Sequence, residues 1–420
     1  MRNYYLSFLI LLFSTVVVKA QYPYQAFYGN LHSHTGNSDG ANNPVYAYNY
    51  ARDSASLDFL AVTDHLEQID VLEWYYVKAN ADAVSSNGTY VGIAGWEWGS
   101  PLHGHVNVFN TTSIITDVTN LWYTTDLPAF YNWILTHAPA LAQFNHPGEE
   151  TYFTNWNDFE YIDTILDNAI PLLEVQNVQQ ATDYYEYALN KGWHLSPVWN
   201  QDNHSADWGT KNNGRAGIWA NSLSRTDLFD AIKMGRTFAT MDKNAFVWLD
   251  ISGVPMGRTL QRYSQMPLHI KLNDAGNEAW QQIELVSNLG VVMSFSATGN
   301  LDTIVPITLM TDNYLFLRAV QADSDYIWSA PLYFNGVITG VAENNDTHPF
   351  IYPNPSKGMV HINPAGLYPY IVEVFDAQGR LLYQVQNKHS LNFENEENGL
   401  FFIRIIQDNK VTTLKLMVVK

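Results

Sequence analysis

The chain lacks cysteine, and this absence excludes several kinds of chemistry. None of its 420 residues is a cysteine, so no disulfide, thiolate nucleophile or cysteine-based zinc site can form. Outside the cell, stability would have to come from side-chain packing or from metal ions held by other ligands. Any metal site in this protein must therefore use histidine, aspartate and glutamate.

Basic residues are also scarce. The chain has 22 lysines and arginines against 41 aspartates and glutamates, which gives a formal net charge of −19. Proteins that hold nucleic acid neutralise its phosphates with clustered lysine and arginine. The charge balance therefore argues against a nucleic-acid partner and mainly favours solubility.

Long apolar runs are absent except at the amino terminus. Met1 and Arg2 give a cationic start, residues 4–18 are largely apolar, and Ala20 is a small residue that fits a cleavage site. This pattern predicts a secretory signal peptide over residues 1–20, with an uncleaved membrane anchor as the alternative. No later segment approaches the ~20 apolar residues that a transmembrane helix needs, so we expect no stable membrane span in the mature protein.

Short apolar runs alternate with segments of helical spacing through the first half of the chain. This alternation predicts β/α units around a largely parallel sheet. The predicted strands cover residues 26–31, 58–62, 90–95, 105–109, 140–144, 171–175 and 194–199. The predicted helices cover residues 43–57, 72–85, 126–137, 179–191 and 226–234.

The hydrophobic periodicity changes from 3.6 toward 2 near residue 245, which divides the chain into domains. Residues 21–243 are expected to form an α/β domain and residues 244–340 a β-sandwich. The polar residues 341–349 are expected to be a linker. Residues 350–420 then form a third, strand-rich unit with no visible catalytic residues.

Histidines are concentrated in the α/β domain. Nine of the thirteen lie between His32 and His204, and most follow a predicted strand directly. Loops after the strands of a β/α barrel converge on one face, so residues distant in sequence can meet there. His32 and His34 share one face of an extended strand because side chains at i and i+2 point the same way.

Imidazole and carboxylate groups together suit zinc, manganese or iron. The polar residues at successive strand ends include Asp64 and the nine predicted metal ligands, which are His32, His34, Asp39, His65, Glu97, His105, His146, Asp202 and His204. His103, His137 and His194 are predicted to lie outside this set. Glu174 is either a residue that orients a ligand or a solvent-exposed side chain. Arg215 and Arg236 are the cations best placed to meet an anionic substrate, with a surface salt bridge as the alternative for each.

The ordered set of histidines and acids resembles the polymerase and histidinol phosphatase (PHP) family over residues 26–240. The resemblance implies a distorted (β/α)7 barrel with two or three divalent ions, usually zinc, manganese or iron, and hydrolysis of phosphoesters. It assigns the first ion to His32, His34, Glu97 and Asp202, the second to Glu97, His105 and His146, and the third to Asp39, His65 and His204. Glu97, Asp202 and His204 are then expected to act in catalysis, and Arg215 to bind the substrate.

Two further resemblances concern the ends of these domains. Residues 224–240 look like the carbaryl-hydrolase-like branch of PHP proteins, which keeps ester, amide and carbamate bonds open as substrates. Residues 350–420 resemble the type A sorting domain of the type IX secretion system. The similarity lies in Tyr352-Pro353-Asn354-Pro355, residues 374–379, Gly399-Leu400-Phe401 and residues 415–420.

These observations lead to one main hypothesis and two alternatives. The main hypothesis is a secreted or cell-surface phosphoesterase that uses a metal-activated water on a small phosphorylated molecule and is exported by the type IX machinery. The first alternative is a metal-dependent ester, amide or carbamate hydrolase. The second is a surface glycan-binding module that uses the tryptophans and tyrosines of residues 244–340 and has a structural metal site.

Overall fold

The structure is a computed structural model that describes residues 24–116, 126–263, 265–309, 311–335, 350–352, 354–363, 370–388, 390–407 and 410–420. The predicted signal peptide at 1–20 and the predicted linker at 341–349 lie outside the described residues. Two compact units are present. The first contains residues up to 261 together with 268–306 and 311–335, and the second contains 262–267, 307–310 and the residues beyond 336.

The first unit opens with three parallel strands and two connecting helices. β1 (Gln25–Asn30) pairs with β2 (Phe59–Val62), and β2 pairs with β3 (Val91–Ser100). Helix α1 (Pro44–Asp53) connects β1 to β2, and helix α2 (Val71–Val84) connects β2 to β3. All four residues of β2 are buried, as expected for a strand covered on both faces.

Side-chain caps fix where the two helices begin. The Asn43 side chain accepts a hydrogen bond from the backbone of Tyr46, and Pro44 occupies the first turn of α1. Asp70 and Glu73 form a reciprocal capping box at the start of α2, which satisfies backbone N–H groups that would otherwise have no partner. Each helix therefore begins directly after a loop that carries predicted metal ligands.

The fourth strand departs from the expected parallel sheet. β4 (Gly104–Phe109) is antiparallel to both β3 and β5 (Leu141–Phe144). Only residues 101–103 separate β3 from β4, and so short a connection joins antiparallel strands. As a result, His105 at the start of β4 pairs with Gly99 near the end of β3 and lies at the same edge of the sheet.

The chain then returns to parallel pairing. β5 pairs with β6 (Leu172–Glu174), and β6 pairs with β7 (Ser196–Val198). The Thr237 hydroxyl of β9 (Thr237–Thr240) donates to the Pro197 carbonyl at 2.9 Å, so β9 lies beside β7.

The remaining helical segments of the first unit lie close to predicted helices except Thr164–Ala169, where no helix was predicted because six residues are too few to show helical periodicity. They are α3 (Leu127–Thr136), α4 (Thr164–Ala169), a segment made of Val178–Gln180, the π-helical turn Ala181–Tyr185 and α5 (Glu186–Asn190), and α6 (Arg225–Lys233). Strand β8 (Arg215–Ala220) pairs antiparallel with β1 and with β9. No described helix is long and apolar enough to cross a membrane.

Residues beyond 245 form sandwich-like sheets, as predicted. The strands are β10 (Phe246–Ile251), β11 (Val254–Pro255), β12 (Thr259–Gln261), β13 (Met266–Asn273), β14 (Trp280–Ser287), β15 (Gly290–Ala297), β16 (Leu301–Ile307), β17 (Tyr314–Gln321), β18 (Tyr326–Ser329) and β19 (Leu332–Asn335). One sheet has the order β11-β10-β13-β16. In the other, β18 pairs with β9, so this sheet continues across residue 243, and a domain boundary there stays a prediction.

The second unit has two small sheets. Their strands are β20 (Phe350–Tyr352), β21 (Met359–Asn363), β22 (Tyr370–Phe375), β23 (Leu381–Gln386), β24 (Ser390–Asn392), β25 (Gly399–Gln407) and β26 (Lys410–Val418). The sheet orders are β20-β21-β24 and β23-β22-β25-β26. Alternate residues of β22 and β25, such as Val372 and Ile403, are buried in a shared core. The protein is thus a mixed α/β, strand-rich chain.

Candidate metal centre

The segment after β1 brings the first two histidines to the centre of the sheet. Ser33 forms a parallel bridge with Asn203, and the His34 backbone N–H donates to the Asn203 carbonyl at 2.8 Å. This pairing places Asp202 and His204 beside His32 and His34, although about 170 residues separate them in sequence.

Asp64 fixes the loop that carries Asp39. Its carboxylate accepts hydrogen bonds from the backbone N–H of Thr35 at 2.6 Å, from the Thr35 hydroxyl at 2.7 Å and from the Ser38 hydroxyl at 2.8 Å. The next residue, His65, forms a parallel bridge with Glu97. Asp64 therefore links the two loops through hydrogen bonds and is not itself one of the converging ligands.

Glu97 lies at the centre of the cluster and is 1% exposed. Its Oε1 lies 3.1 Å from His32 Nε2, 3.3 Å from His105 Nδ1 and 3.5 Å from His146 Nε2. Its Oε2 lies 3.1 Å from His65 Nδ1 and 3.4 Å from His34 Nε2. One buried carboxylate thus reaches five imidazoles, which come from four different strand ends.

Two further carboxylates complete the group. Asp202 Oδ1 lies 3.3 Å from His32 Nε2 and 3.0 Å from His34 Nε2. Asp39 lies nearer the solvent, with Oδ1 3.3 Å from His204 Nε2 and Oδ2 3.6 Å from His65 Nε2. The side chains of Asp39 and His204 are 45% and 41% exposed, so they mark the mouth of the cluster.

The structure brings all nine sequence-predicted residues together. Within each of four overlapping groups, the potential ligand atoms lie within 4.8 Å of one another. The groups are His34, Asp39, His65 and His204; His32, His34 and Glu97; His32, His146 and Asp202; and His65, Glu97 and His105. These clusters are compatible with divalent metal ions, since they combine the nitrogen and oxygen donors that such ions take in proteins.

Two buried oxygen atoms give an independent sign that the donors face a common space. Glu97 Oε2 and Asp202 Oδ1 have no hydrogen-bond partner of good geometry among the described residues, although imidazole nitrogens lie 3.0 to 3.4 Å away. Burying an unpartnered carboxylate oxygen is costly. Cations bound at these oxygens would satisfy them, so the donor set fits metal ions.

The close packing of acids and imidazoles shifts their pKa values. Burial raises the pKa of Glu97, but His32 and His105 outweigh it and hold the pKa well below its usual value. Burial lowers the pKa of His32, but the carboxylates of Asp202, Glu97 and Glu174 raise it well above normal. For His146, burial is likewise outweighed by hydrogen bonds to Glu149 and Glu97, and the pKa rises to about 10. Metal binding at these imidazoles must therefore release protons.

Glu174, the last residue of β6, positions two of the candidate ligands through hydrogen bonds. The side chain is completely buried. Its Oε1 accepts a hydrogen bond from His32 Nδ1 at 2.9 Å, and its Oε2 accepts one from the His146 backbone N–H at 2.7 Å. The bond to Nδ1 leaves His32 Nε2 facing Glu97 and Asp202. Of the two alternatives raised for Glu174, the contacts are those of an orienting residue and not of a solvent-exposed one.

Several contacts of the cluster were missed from the sequence. Glu149 Oε2 lies 2.7 Å from His146 Nδ1, Glu67 Oε1 lies 3.6 Å from His65 Nδ1, and the Asn145 side-chain amide donates to Glu97 Oε1 at 2.7 Å. Glu149 and Glu67 lie three and two residues beyond a predicted ligand, in loops without periodicity. The one available signal was their closeness in sequence to His146 and His65.

The other candidate histidines have different surroundings. His194 Nδ1 lies 2.7 Å from Asp167 Oδ2, His137 is the C-terminal cap of α3, and His103 Nδ1 lies 2.9 Å from the Thr154 hydroxyl. None of the three belongs to the four ligand groups found among the described residues.

The two candidate arginines are bound to the backbone. The Arg215 guanidinium donates to the carbonyls of Asn212, Gly214 and Gly209 at 3.1, 2.7 and 2.8 Å, and burial lowers its pKa to about 10. Arg236 donates to the Trp219 carbonyl and lies over the Tyr24 ring. These contacts stabilise loops and strands, so substrate binding by Arg215 stays a prediction.

Comparisons with solved structures give distant likenesses. A two-domain protein from Bacteroides vulgatus, described as containing a predicted PHP-like metal-dependent phosphoesterase, is 14% identical, with a TM-score of 0.43 over 74% of this chain and 96% of that one. PsfC from Pseudomonas syringae is 14% identical, with a TM-score of 0.32 over 46% of this chain and 82% of that one. The fibronectin(III)-like modules of CbhA from Clostridium thermocellum are 12% identical, with a TM-score of 0.18 over 40% of this chain and 93% of that one.

A search of curated proteins gives no match. Residues 350–420, however, match the family model of the secretion system C-terminal sorting domain. This match coincides with the second unit's seven described strands and confirms the resemblance found in the sequence. The chain therefore carries, at residues 350–420, a secretion system C-terminal sorting domain.

Proposed function

We propose that this protein is an exported metal-dependent hydrolase and that its substrates are small phosphoesters. The observation that supports this proposal most strongly is the convergence of six imidazoles on the carboxylates of Glu97 and Asp202, each of which has a buried oxygen without a hydrogen-bond partner. A cluster built only for stability would gain little from such an arrangement, because buried unpaired charges are costly.

The proposed ligand sets are those that the resemblance to the PHP family implies. The geometric groups overlap these sets without being identical to them, since His146 groups with His32 and Asp202, and His65 groups with Glu97 and His105. His32, His34, Glu97 and Asp202 would hold one ion, and Glu97, His105 and His146 a second. Asp39, His65 and His204 would hold a third at the mouth. Zinc, manganese and iron are the proposed metals. In this reading the strands and helices up to β9 correspond to a distorted (β/α)7 barrel.

Divalent ions bound there would supply Lewis-acid catalysis and activate water for hydrolysis. The chain itself contributes charge, orientation and access. Glu97 and Asp202 remain ionised at neutral pH because neighbouring imidazoles lower their pKa values. Glu174 fixes the ring of His32. Burial keeps solvent from the inner ligands, while the exposed side chains of Asp39 and His204 leave one side open to a substrate.

Hydrolysis of a carboxylic ester or a carbamate is the second candidate function. The expected anion-binding residue Arg215 is engaged by three backbone carbonyls. A phosphate group would therefore have to be bound by the metal ions alone or by another part of the mouth. A neutral ester or carbamate needs no such cation, and this observation favours the alternative.

A chelation experiment with a substrate panel tests the proposal. Purified protein would be assayed with p-nitrophenyl phosphate, p-nitrophenyl acetate and a p-nitrophenyl carbamate before and after metal removal. We expect turnover of the phosphate to be lost on chelation and restored by zinc or manganese. Preferential turnover of the acetate or carbamate would favour the second function. Equal rates in chelated and untreated protein would contradict metal-dependent hydrolysis.

We further propose that the type IX secretion machinery exports this protein. The sorting domain at residues 350–420 supports secretion or display at the cell surface. The predicted signal peptide at residues 1–20 would first take the chain across the inner membrane.

A further inference from the structure

A left-handed helical turn lies next to the metal centre. Five consecutive residues that are not glycine, Asn155–Phe159, have φ between 45° and 59°. This conformation is unfavourable for L-residues because Cβ approaches the following carbonyl oxygen. A whole turn of it persists only where surrounding contacts enforce it, and such strain is found mainly at functional sites.

The contacts that enforce the turn come from the segments that carry His105 and His146. The backbone N–H groups of Thr154 and Trp156 donate to the carbonyls of Leu102 and His103, both at 2.8 Å. On the other side, the N–H of Gly148 donates to the Asn155 side chain at 2.9 Å. The turn is thus tied to the β3–β4 hairpin and to the loop after β5.

The base of the turn is anchored in the core. Trp156 and Phe159 are each 1% exposed, and their rings lie 4.4 and 5.7 Å from the ring of Phe144 in β5. The Trp193 indole N–H also donates to the Phe159 carbonyl at 3.0 Å. These buried groups anchor the turn in the core.

The two aromatic residues that precede the turn are Tyr152 and Phe153, and Phe153 lies next to His105. The Phe153 ring centroid is 5.6 Å from that of His105, and the Tyr152 ring meets Phe153 edge to face at 5.2 Å. Tyr152 is 63% exposed. The segment that leads into the turn therefore presents an aromatic pair, of which Phe153 lies beside a proposed metal ligand and Tyr152 is largely in solvent. We name this pair the aromatic shelf.

We propose that the aromatic shelf binds a planar apolar group of the substrate, next to the bond that is hydrolysed. The inference rests on the proposed function of the cluster and narrows its substrates to aryl esters of phosphoric acid or of a related acid. Exposed aromatic rings bind planar groups by stacking and by burial of apolar surface. Phe153 is partly buried beside His105 and directly precedes the fixed turn, so little of its conformational freedom remains to be lost on binding.

Binding of two unreactive ligands tests the shelf without relying on turnover. Phenylphosphonate and methylphosphonate carry the same acid group and differ in the planar substituent. Their dissociation constants would be measured by calorimetry on the full chain loaded with zinc. We expect the native protein to bind phenylphosphonate roughly tenfold more tightly, which is the scale of one aromatic contact with its buried area.

Two substitutions locate the preference. Tyr152→Ala and Phe153→Leu should reduce the phenyl preference to about twofold or less, while methylphosphonate binding stays as in the native protein. Tyr75→Ala is the matched control, since Tyr75 is a similarly exposed tyrosine, 57% exposed on α2, and it should leave the preference unchanged. Because Tyr152 is largely exposed, its replacement should not alter folding, which circular dichroism would verify.

The outcomes separate the two proposals. Equal affinities for the two phosphonates in the native protein, or a phenyl preference that survives both substitutions, would overturn the shelf and leave the metal centre intact. Failure of the zinc-loaded protein to bind either phosphonate would overturn the shelf together with the phosphoesterase function on which it rests.

Discussion

At the scale of single residues, the orientation of the proposed ligands depends on a buried carboxylate that is not itself a proposed ligand. Glu174 accepts hydrogen bonds from His32 Nδ1 and from the backbone of His146, and it also accepts from the side-chain amides of Asn200 at 2.9 Å and Gln143 at 3.3 Å. Such outer carboxylates fix the tautomer and orientation of a ligating imidazole and increase its basicity.

Replacing Glu174 by glutamine should weaken metal binding without removing a ligand. We expect the zinc affinity to fall about 10- to 100-fold, the usual effect of losing such a partner. Competition with a chromophoric chelator would measure it. The control is Asp167→Asn, which removes a buried carboxylate from His194, a histidine outside the cluster. An unchanged affinity in Glu174→Gln, or an equal loss in the control, would contradict the orienting role.

A glycine in the loop after β5 gives a second prediction at this scale. Gly148 has φ +72°, and a Cβ built on it would lie 2.1 Å from the Tyr184 hydroxyl oxygen. Gly88 has a similar φ of +80° with nothing within 4 Å of the same position. Each Gly→Ala change costs about 1–2 kcal/mol because alanine is unfavourable in a left-handed backbone conformation. Only the new Cβ of Gly148→Ala would also overlap a neighbouring side chain, that of Tyr184.

Gly148→Ala should therefore lower the free energy of unfolding by more than Gly88→Ala and, unlike it, should weaken zinc binding through displacement of His146. Chemical denaturation and the chelator competition would measure the two effects. If the two variants behave alike in both assays, the loop does not depend on the packing of Tyr184 against Gly148.

At the scale of the elements, one histidine ties three strands of a sheet together. His269 on β13 has Nδ1 2.8 Å from Asp250 on β10 and Nε2 2.8 Å from Asp302 on β16. A neutral imidazole can donate only one hydrogen bond, so both contacts require the charged form. Hydrogen bonding to Asp250 raises the pKa of His269, burial opposes the rise, and Asp302 adds to it.

The sign of the resulting pH dependence follows from the raised pKa. The stabilisation is fully present below the unfolded value near 6.5 and is lost as the pH rises through the higher folded value. His269→Gln should therefore lower the free energy of unfolding at pH 6, by roughly 0.5–1 kcal/mol for such partly exposed pairs, and by less at pH 9. Denaturation of His137→Gln at both pH values is the control. A loss in His269→Gln that is equal at the two pH values would refute the charged bridge.

The elements also show how far the sequence could predict the fold. Periodicity predicted the starts of α1 and α2 to within one residue because it is a local signal, whereas the caps at Asn43 and Asp70 became visible only in the structure. The antiparallel direction of β4 was not predicted. The predicted strand 90–95 ends too early, and only the full length of β3 to Ser100 shows that the connection to β4 is as short as residues 101–103. The left-handed turn Asn155–Phe159 has no sequence signature, because its conformation is imposed by long-range contacts with Leu102, His103 and Phe144.

The candidate site was predicted better than the loops around it. The proximity of His32, Glu97 and His146 could be predicted because residues at the ends of neighbouring strands converge on one edge of a sheet. Glu149 and Glu67 were missed because nothing in a loop sequence says which side chain turns inward. Arg215 was chosen for its charge, but its partners are carbonyls of its own loop, which only the folded backbone reveals.

At the scale of the whole molecule, catalysis and export are assigned to different units. The proposed metal centre lies in the first unit, while the sorting domain belongs to the second. Removal of residues 350–420 should therefore abolish export but not the metal centre. Cell fractionation should find the truncated protein in the periplasm, still able to bind zinc. Normal export of the truncated protein would contradict the role of the sorting domain.

The position of bound metal decides whether the proposed metal centre exists. Crystals of zinc- or manganese-loaded protein, measured on both sides of the metal absorption edge, would give anomalous difference peaks at the ions. We predict two or three peaks within roughly 2.0–2.3 Å of the imidazole and carboxylate donors, with Glu97 and Asp202 in contact with at least one of them. A fully loaded crystal with no anomalous peak among the nine proposed ligands would show that this cluster does not bind metal.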